Sequence, residues 1–151
     1  MAKLNQVTKD DIGKKSPEVV HEVEKGAIRK FADAIGDPNP LFHDESFAQA
    51  HGYKSIIAPP TFAITLGAEM PIKIDPRGVL HGEQAFLYDR PIVAGDVIRC
   101  QAEVTDVYER SGHSGHMTFF VTETTGRDAQ TEERIFRARG TIVIRDVEIP
   151  G

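Results

Sequence analysis

The sequence has little of what disulfide frameworks, membrane spans and secretion signals are built from. Its single cysteine, Cys100, excludes an intramolecular disulfide and is typical of a reducing compartment. No apolar run approaches the ~20 residues that a membrane span requires. The N-terminal segment MAKLNQVTKDDIGKK is polar and lacks the apolar core of a signal peptide. These absences predict a cytoplasmic protein with no membrane partner.

Clustered positive charge is missing as well. The formal net charge is -5 and the lysines and arginines are scattered, which argues against a nucleic-acid partner because phosphate binding needs clustered basic residues. What is present, 40% hydrophobic and 27% charged residues, is ordinary for a globular protein. The sequence contains no repeat, linker or low-complexity tract, so residues 1–151 are predicted to form a single domain.

The first half of the chain predicts one strand followed by helices. Residues 17–24 have the composition of a strand. A helix follows, because four apolar residues recur on one face at the 3.6-residue period: Ile28, Phe31, Ala32 and Ile35. Gly36 predicts its end, since glycine accepts the left-handed conformation that terminates helices.

Two prolines in residues 37–44 predict a rigid loop. Residues 45–50 predict a short helix that ends at Gly52. Pro59-Pro60 then opens an apolar segment, and proline favours the first turn of a helix. Residues 60–70 are therefore predicted to form a mostly buried helix.

The second half predicts four strands, at residues 78–89, 96–109, 116–125 and 134–145, each bounded by Gly, Pro or Asp. Ile98, Cys100, Ala102 and Val104 alternate cleanly with polar neighbours, which is the period of a half-buried strand. Four consecutive strands without helices between them favour antiparallel pairing, with the helices on one face. The predicted fold class is α+β.

Three local motifs, in this order, resemble the MaoC-like branch of the hot-dog superfamily. They are FADAIGDPNPLFHDESFAQAHGY at residues 31–53, IIAPPTF at 56–62 and DRPIVAGDVIRCQAEV at 89–104. The resemblance implies an antiparallel curved sheet wrapped around a central helix, and a dimer of two such units. It also implies an interface site for an acyl chain carried on coenzyme A or acyl carrier protein, where water adds reversibly to a trans-2-enoyl thioester to give an (R)-3-hydroxyacyl thioester.

The resemblance further implies which residues form that site. The family places a catalytic Asp and His in the loop after the first helix, which correspond here to Asp37 and His43. A backbone N–H at the start of the central helix stabilises the enolate oxygen. Residues at this part of the site are predicted to contact substrate: Asn39, Phe42, Pro60, Thr61 and Phe62. No metal or redox cofactor is implied.

The sequence departs from the active family pattern at two of these positions. The active motif D-x-N-P-L-H carries histidine where this chain has Phe42, and the imidazole falls one place later, at His43. Pro60 occupies the position of the glycine whose N–H meets the thioester oxygen, although Thr61 N–H is a candidate replacement. The chain thus resembles more closely the non-catalytic partners of this family, which are the first subunit of two-subunit mycobacterial dehydratases and the N-terminal halves of fused eukaryotic enzymes.

Simpler roles compete with each functional interpretation. Asp37 and Asn39 are also typical loop-bracing residues. The apolar helix residues Phe62, Leu66 and Met70 are most simply core. The pair His113 and His116 lacks further ligands at zinc spacing, and Cys100 on an apolar strand face predicts an inert, buried thiol.

Three hypotheses follow from the sequence. The first is a component of an (R)-3-hydroxyacyl-CoA or -ACP dehydratase, a hydro-lyase that uses Asp37 and His43. The second is a non-catalytic acyl-binding subunit that requires a catalytic hot-dog partner. The third, less favoured, is a hot-dog thioesterase. The expected assembly is a homodimer, or a heterodimer with a related hot-dog subunit.

Overall fold

Five antiparallel strands form one sheet in the computed structural model, which describes residues 3–147. In chain order the elements are β1 (Val19–Glu22), α1 (Lys25–Ala34), α2 (Glu45–Ala50), β2 (Val79–Tyr88), β3 (Val97–Gly112), β4 (Gly115–Asp128) and β5 (Arg134–Arg145). Short 3-10 turns lie at Lys9–Asp11, Pro40–Phe42 and Phe62–Thr65. The strand order is β1-β3-β4-β5-β2, so β1 and β2 are the two edges. The predicted antiparallel α+β architecture is confirmed.

One face of the sheet forms the core. Ile98, Cys100, Ala102 and Val104 are all buried, as their alternation on β3 predicts. Across the sheet, Phe136 on β5 is fully buried in one hydrophobic cluster with Ile98 and Cys100. Because successive side chains of a strand point to opposite faces, this regular alternation is what directs the core to one side of the sheet.

Helix α1 packs against this core through Ile28 and Ala32, which are both completely buried. The prediction that Ile35 shares this face is wrong: Ile35 is 50% exposed. The helix ends at Ala34, so Ile35 is already the capping residue and its side chain leaves the apolar stripe. In the described part of the chain, no helix is both long and apolar enough to cross a membrane.

The predicted helix at residues 60–70 is wrong, because only the four-residue 3-10 turn Phe62–Thr65 forms there. The Thr65 hydroxyl donates to the Phe62 carbonyl at 2.8 Å, the acceptor that an α-helix would offer to the Leu66 N–H. Leu66 N–H bonds instead to the Ala63 carbonyl at 3.0 Å, which closes the tighter turn. The Gly67 carbonyl is then bound by the His21 ring at 2.9 Å. The central element is thereby reduced to one turn.

Candidate functional site

The three sequence motifs meet in space through backbone hydrogen bonds. The Ile57 N–H donates to the Leu41 carbonyl at 3.0 Å, which joins the first motif to the second. The Ala58 N–H donates to the Ile92 carbonyl at 2.8 Å, which joins the second motif to the third. The segment IIAPPTF is therefore held on both sides, and the candidate site lies where it emerges at Pro60.

Asp37 is positioned by the way in which α1 ends. Gly36 adopts a positive φ of 70°, and its N–H donates to the Asp33 carbonyl at 3.1 Å. The Asp37 N–H donates to the Ala32 carbonyl at 2.9 Å. This pair of hydrogen bonds is a Schellman motif, which fixes the chain direction after the helix. Gly36 is thus confirmed as the stop signal and sets where the Asp37 side chain begins.

The Asp37 carboxylate and its neighbours stabilise their own loop. Asp37 Oδ1 accepts the Asn39 N–H at 3.0 Å, and Asn39 Oδ1 accepts the Leu41 N–H at 3.0 Å. Both are turn contacts typical of Asp and Asn. Phe42 is 5% exposed and belongs to the hydrophobic core, so little of its ring is open to a ligand. The substrate-contacting roles of Asn39 and Phe42 stay predictions.

His43 turns back toward the start of the same loop. Its Nε2 lies 3.0 Å from the backbone carbonyl of Asp37, and a carbonyl only accepts, so the Nε2 atom carries the proton. The nearest carboxylate, Asp33, is 3.9 Å from the same nitrogen. The structure therefore places His43 beside Asp37, with its Nε2–H bound to backbone. A catalytic role for either residue stays a prediction.

At the other side of the site, Pro60 and Thr61 are exposed and Phe62 is buried. Phe62 packs edge-on against Phe31, with ring centroids 5.6 Å apart, which anchors the turn to α1. Pro60 has no N–H, as the sequence requires. Among residues 3–147 the Thr61 N–H has no hydrogen-bond partner, so it is free to meet a ligand oxygen. The structure thus brings Pro60 and Thr61, but not Phe62, to the surface.

Tyr88, at the end of β2, is a residue of this site that the sequence does not reveal. Its hydroxyl donates to the Pro60 carbonyl. Desolvation by burial raises the pKa of Tyr88 to about 12, so the phenol stays protonated and acts as a donor. The two partners are separated by 28 positions, and the only local signal is an aromatic residue at a strand end. Tyr88 fixes the carbonyl at the start of the turn.

A groove runs along the concave face of the sheet, between the Phe62–Thr65 turn and strands β2, β4 and β5. Its volume is about 230 Å³. Much of its wall is made of small or apolar side chains from the turn region and β5: Ala63, Ile64, Met70, Ala138, Gly140 and Ile142. Polar side chains complete the lining of this concave groove, and they come from β2 and β4.

Other reactive residues lie away from the site. Cys100 is buried, as predicted, and burial raises the pKa of its thiol to about 12, which leaves no nucleophilic thiolate. His116 lies between Asp146 and Glu109, at 3.2 Å and 3.6 Å, and His113 is exposed in the β3–β4 turn. Within residues 3–147 no group of three or more His, Cys, Asp or Glu side chains is placed to hold a metal ion.

Comparison with known proteins identifies the chain's family. A family model described as the FAS1-like dehydratase domain region matches residues 10–137. The chain belongs to the FAS1-like dehydratase family. This FAS1-like dehydratase chain is also similar to UPF0336 proteins. The one from Thermobifida fusca is 44% identical over 62% of this chain and 66% of the relative, and the one from Saccharopolyspora erythraea is 38% identical over 85% of each.

Solved structures show that the FAS1-like dehydratase chain has the hot-dog fold. The HadBC (3R)-hydroxyacyl-ACP dehydratase complex of Mycobacterium tuberculosis matches with a TM-score of 0.77 and 23% identity, over 91% of this chain and 99% of that one. The R-hydratase PhaJ1 of Pseudomonas aeruginosa matches with a TM-score of 0.65 and 18% identity, over 93% and 90%. The resemblance to MaoC-like hot-dog dehydratases is confirmed, and membership of the family supports a dehydratase-type role.

Proposed function

We propose that this chain is the acyl-binding subunit of a (3R)-hydroxyacyl-thioester dehydratase, and that a second hot-dog chain supplies the catalytic Asp–His pair. The observation that carries the proposal is the loop of residues 37–43, in which Phe42 fills the core and the His43 Nε2–H is bound to a backbone carbonyl. Dehydration needs an acid and a base that reach the substrate. Here Asp37 Oδ1 and His43 Nε2 are both engaged in hydrogen bonds to backbone groups of their own loop.

The start of the turn supports the same conclusion. Pro60 offers no N–H, and its carbonyl is bound by Tyr88. Losing one oxyanion donor costs roughly 3 kcal/mol of transition-state stabilisation. The free Thr61 N–H is suited to holding a thioester carbonyl in place, which is a binding role that does not require an acid or a base nearby.

The concave groove supports a role in acyl binding that one chain cannot complete. Its volume of about 230 Å³ is smaller than the roughly 300–1,000 Å³ of typical ligand sites, which fits a site whose wall a second chain completes. The groove borders β2, an edge strand of the sheet. Exposed apolar side chains cluster around this strand: Ile64, Met70, Leu80, Leu87 and Tyr88. A long apolar edge strand is a template for pairing with another chain.

A self-sufficient hydratase is the second candidate. It is favoured by the proximity of Asp37 and His43, whose loop brings the imidazole to 3.0 Å from the Asp37 carbonyl. Hydrogen bonds within residues 3–147 use Asp37 Oδ1 and leave Oδ2 available to a water molecule. In this version the substrate is an acyl-CoA or acyl-ACP thioester bound by a homodimer, and Asp37 deprotonates the attacking water.

Hydration of crotonyl-CoA separates the two candidates. We expect the purified chain to be inactive alone and active when co-expressed with the hot-dog product of a neighbouring gene. Asp37→Asn in this chain should leave the rate of the complex unchanged, as should the control Asp33→Asn, whose carboxylate lies in the same region. An active isolated chain that loses roughly 10²–10⁴-fold in rate with Asp37→Asn identifies the hydratase. Release of free coenzyme A thiol instead identifies the thioesterase.

A further inference from the structure

Three polar side chains meet at one point of the concave groove. Gly140 on β5 marks that point, because a methyl group built on it would lie 3.2 Å from Gln84 Oε1 and 3.8 Å from both His81 Nε2 and Thr122 Oγ1. The three residues come from β2 and β4, and all line the groove. The absence of a side chain at Gly140 leaves room for a ligand atom in front of them.

Much of the hydrogen-bonding capacity of this cluster is unused. The His81 Nε2–H donates to the Glu83 carbonyl at 3.0 Å, and the Gln84 amide nitrogen lies 3.4 Å from the Ala85 carbonyl. Both contacts orient the side chains through their nitrogen atoms. Within residues 3–147, Gln84 Oε1 and the Thr122 hydroxyl have no hydrogen-bond partner. One acceptor and one donor–acceptor therefore face the groove.

The position of the cluster separates it from the reacting end of a bound thioester. Gln84 lies four residues before Tyr88 on β2, which corresponds to about 13 Å along a strand. Tyr88 marks the start of the turn, where the free Thr61 N–H lies. An acyl chain with its thioester at Thr61 would therefore meet the polar cluster well beyond its third carbon.

A plain hydrocarbon chain does not suit this wall. Covering Gln84 Oε1 and the Thr122 hydroxyl with methylene groups would remove both from water without replacing their hydrogen bonds. An acyl chain with a hydroxyl group at that distance would satisfy both, since a hydroxyl donates to Oε1 and accepts from Thr122. The apolar remainder of the groove would still pack against its methylene groups.

We propose that the concave groove selects acyl groups that carry a hydroxyl group far from the thioester. Gln84 and Thr122 are the residues that recognise this oxygen, His81 lines the groove beside them, and Gly140 provides the space for it. This inference rests on the proposed acyl-binding function and adds the substrate class to it.

The test compares two series of coenzyme A thioesters of matched length, one unsubstituted and one hydroxylated at the ω carbon. Their dissociation constants are measured by calorimetry on the chain together with its partner subunit, where it has one. We expect the hydroxylated series to bind at least about tenfold more tightly at its best length, because sites built to hydrogen-bond a hydroxyl reject analogues that lack it.

Variants of the polar cluster test whether it causes the preference for hydroxylated thioesters. Thr122→Val and Gln84→Met, made singly and together, should abolish it, while Thr125→Val on the opposite face of β4 should preserve it. Single variants keep the test decisive if the double variant does not fold. Equal binding of both series, or a preference that survives in the variants, overturns the inference alone. Failure of either series to bind at any length overturns the acyl-binding function as well.

Discussion

At the scale of single residues, the packing of the core depends on a glycine that lets an aromatic ring from the neighbouring strand lie against its backbone. Gly126 on β4 pairs with Phe136 on β5, and the Phe136 ring occupies the space in which a Gly126 side chain would stand. A methyl group at Gly126 would lie 2.1 Å from the Phe136 Cε1 atom, well inside contact distance. Phe136 is fully buried, so its ring cannot turn out into solvent without leaving the core.

Gly126→Ala should therefore destabilise the fold. Forcing extra volume into a packed core costs about 1–3 kcal/mol, and urea unfolding followed by circular dichroism would measure it as a lower midpoint. The matched control is Gly26→Ala in α1, where a methyl group meets nothing within 4 Å. Because alanine favours helices over glycine by about 1 kcal/mol, the control should be neutral or stabilising. Equal midpoints for the two variants would contradict this account of Phe136 packing.

Some residues of the candidate site are predictable from the sequence, and others are not. Asp37 is predictable in position, because Gly36 terminates α1 and the next residue must start the loop. The orientation of His43 is not, because it depends on a hydrogen bond across six residues of an irregular loop. The role of Tyr88 is not predictable either, because its contact joins residues 28 positions apart in the sequence. The Tyr88 hydroxyl reaches Pro60 only after β2 has joined the sheet.

At the scale of elements, the DRPIVAGD motif proves to be a tightly bonded turn before β3. Arg90 binds the Asp96 carboxylate through two nitrogens, at 2.8 Å and 3.0 Å, and the Val93 N–H donates to the same carboxylate at 2.8 Å. The hydrogen-bonded Asp96 raises the pKa of Arg90. Because residues 92–94 carry the hydrogen bonds to IIAPPTF, this turn supports the candidate site from behind.

Asp96→Asn should loosen that support. Removing a charged acceptor of several hydrogen bonds costs about 1.5–3 kcal/mol, which thermal unfolding would report as a lower midpoint. Amide hydrogen exchange should also increase at Ala58 and Ala94, which bond across the two segments. The control is Glu132→Gln, which weakens the exposed contact with Arg99 and should change little. A variant with unchanged exchange at Ala58 would show that the turn folds independently of its carboxylate.

Secondary structure is predictable where a pattern is regular and local. The prediction for β5 matches the structure at both ends, Arg134 and Arg145. Strand β3 continues to Gly112, beyond the predicted end at residue 109, since a two-residue turn suffices to join it to β4. The helix at 60–70 fails because the Thr65 hydroxyl binds the Phe62 carbonyl, which a longer helix would need for the Leu66 N–H.

At the scale of the whole molecule, the two sheet edges differ. Strand β1 spans four residues, whereas β2 spans ten and lies beside the exposed Ile64 and Met70. The proposed dimer uses the β2 edge, because a long strand offers more unpaired backbone groups and more apolar area to a partner. Motifs and strand order are sufficient to predict the fold. Which strand forms the long exposed edge can be stated only when the pairing of the strands is known.

Leu80→Lys should therefore disrupt the assembly, while Val20→Lys should not. The two side chains are equally exposed, at 56%, but Leu80 lies on β2 and Val20 on β1. Light scattering coupled to size-exclusion chromatography would show a smaller particle for the β2 variant alone, because a desolvated charge at an apolar interface is costly. If the β1 variant dissociates instead, the partner binds at the opposite edge.

The pairing of β2 with β5 also has a consequence for the order in which the protein is made. Strand β2 is complete at Tyr88, but the one strand that pairs with it among residues 3–147 begins at Arg134. During synthesis β2 therefore has no paired neighbour on either side, while β3 and β4 can already pair with each other as a hairpin. Long-range pairing of this kind is slow and leaves an apolar strand open to association. A nascent chain that stops before residue 134 therefore exposes both edges of β2, and it should aggregate more readily than the complete chain.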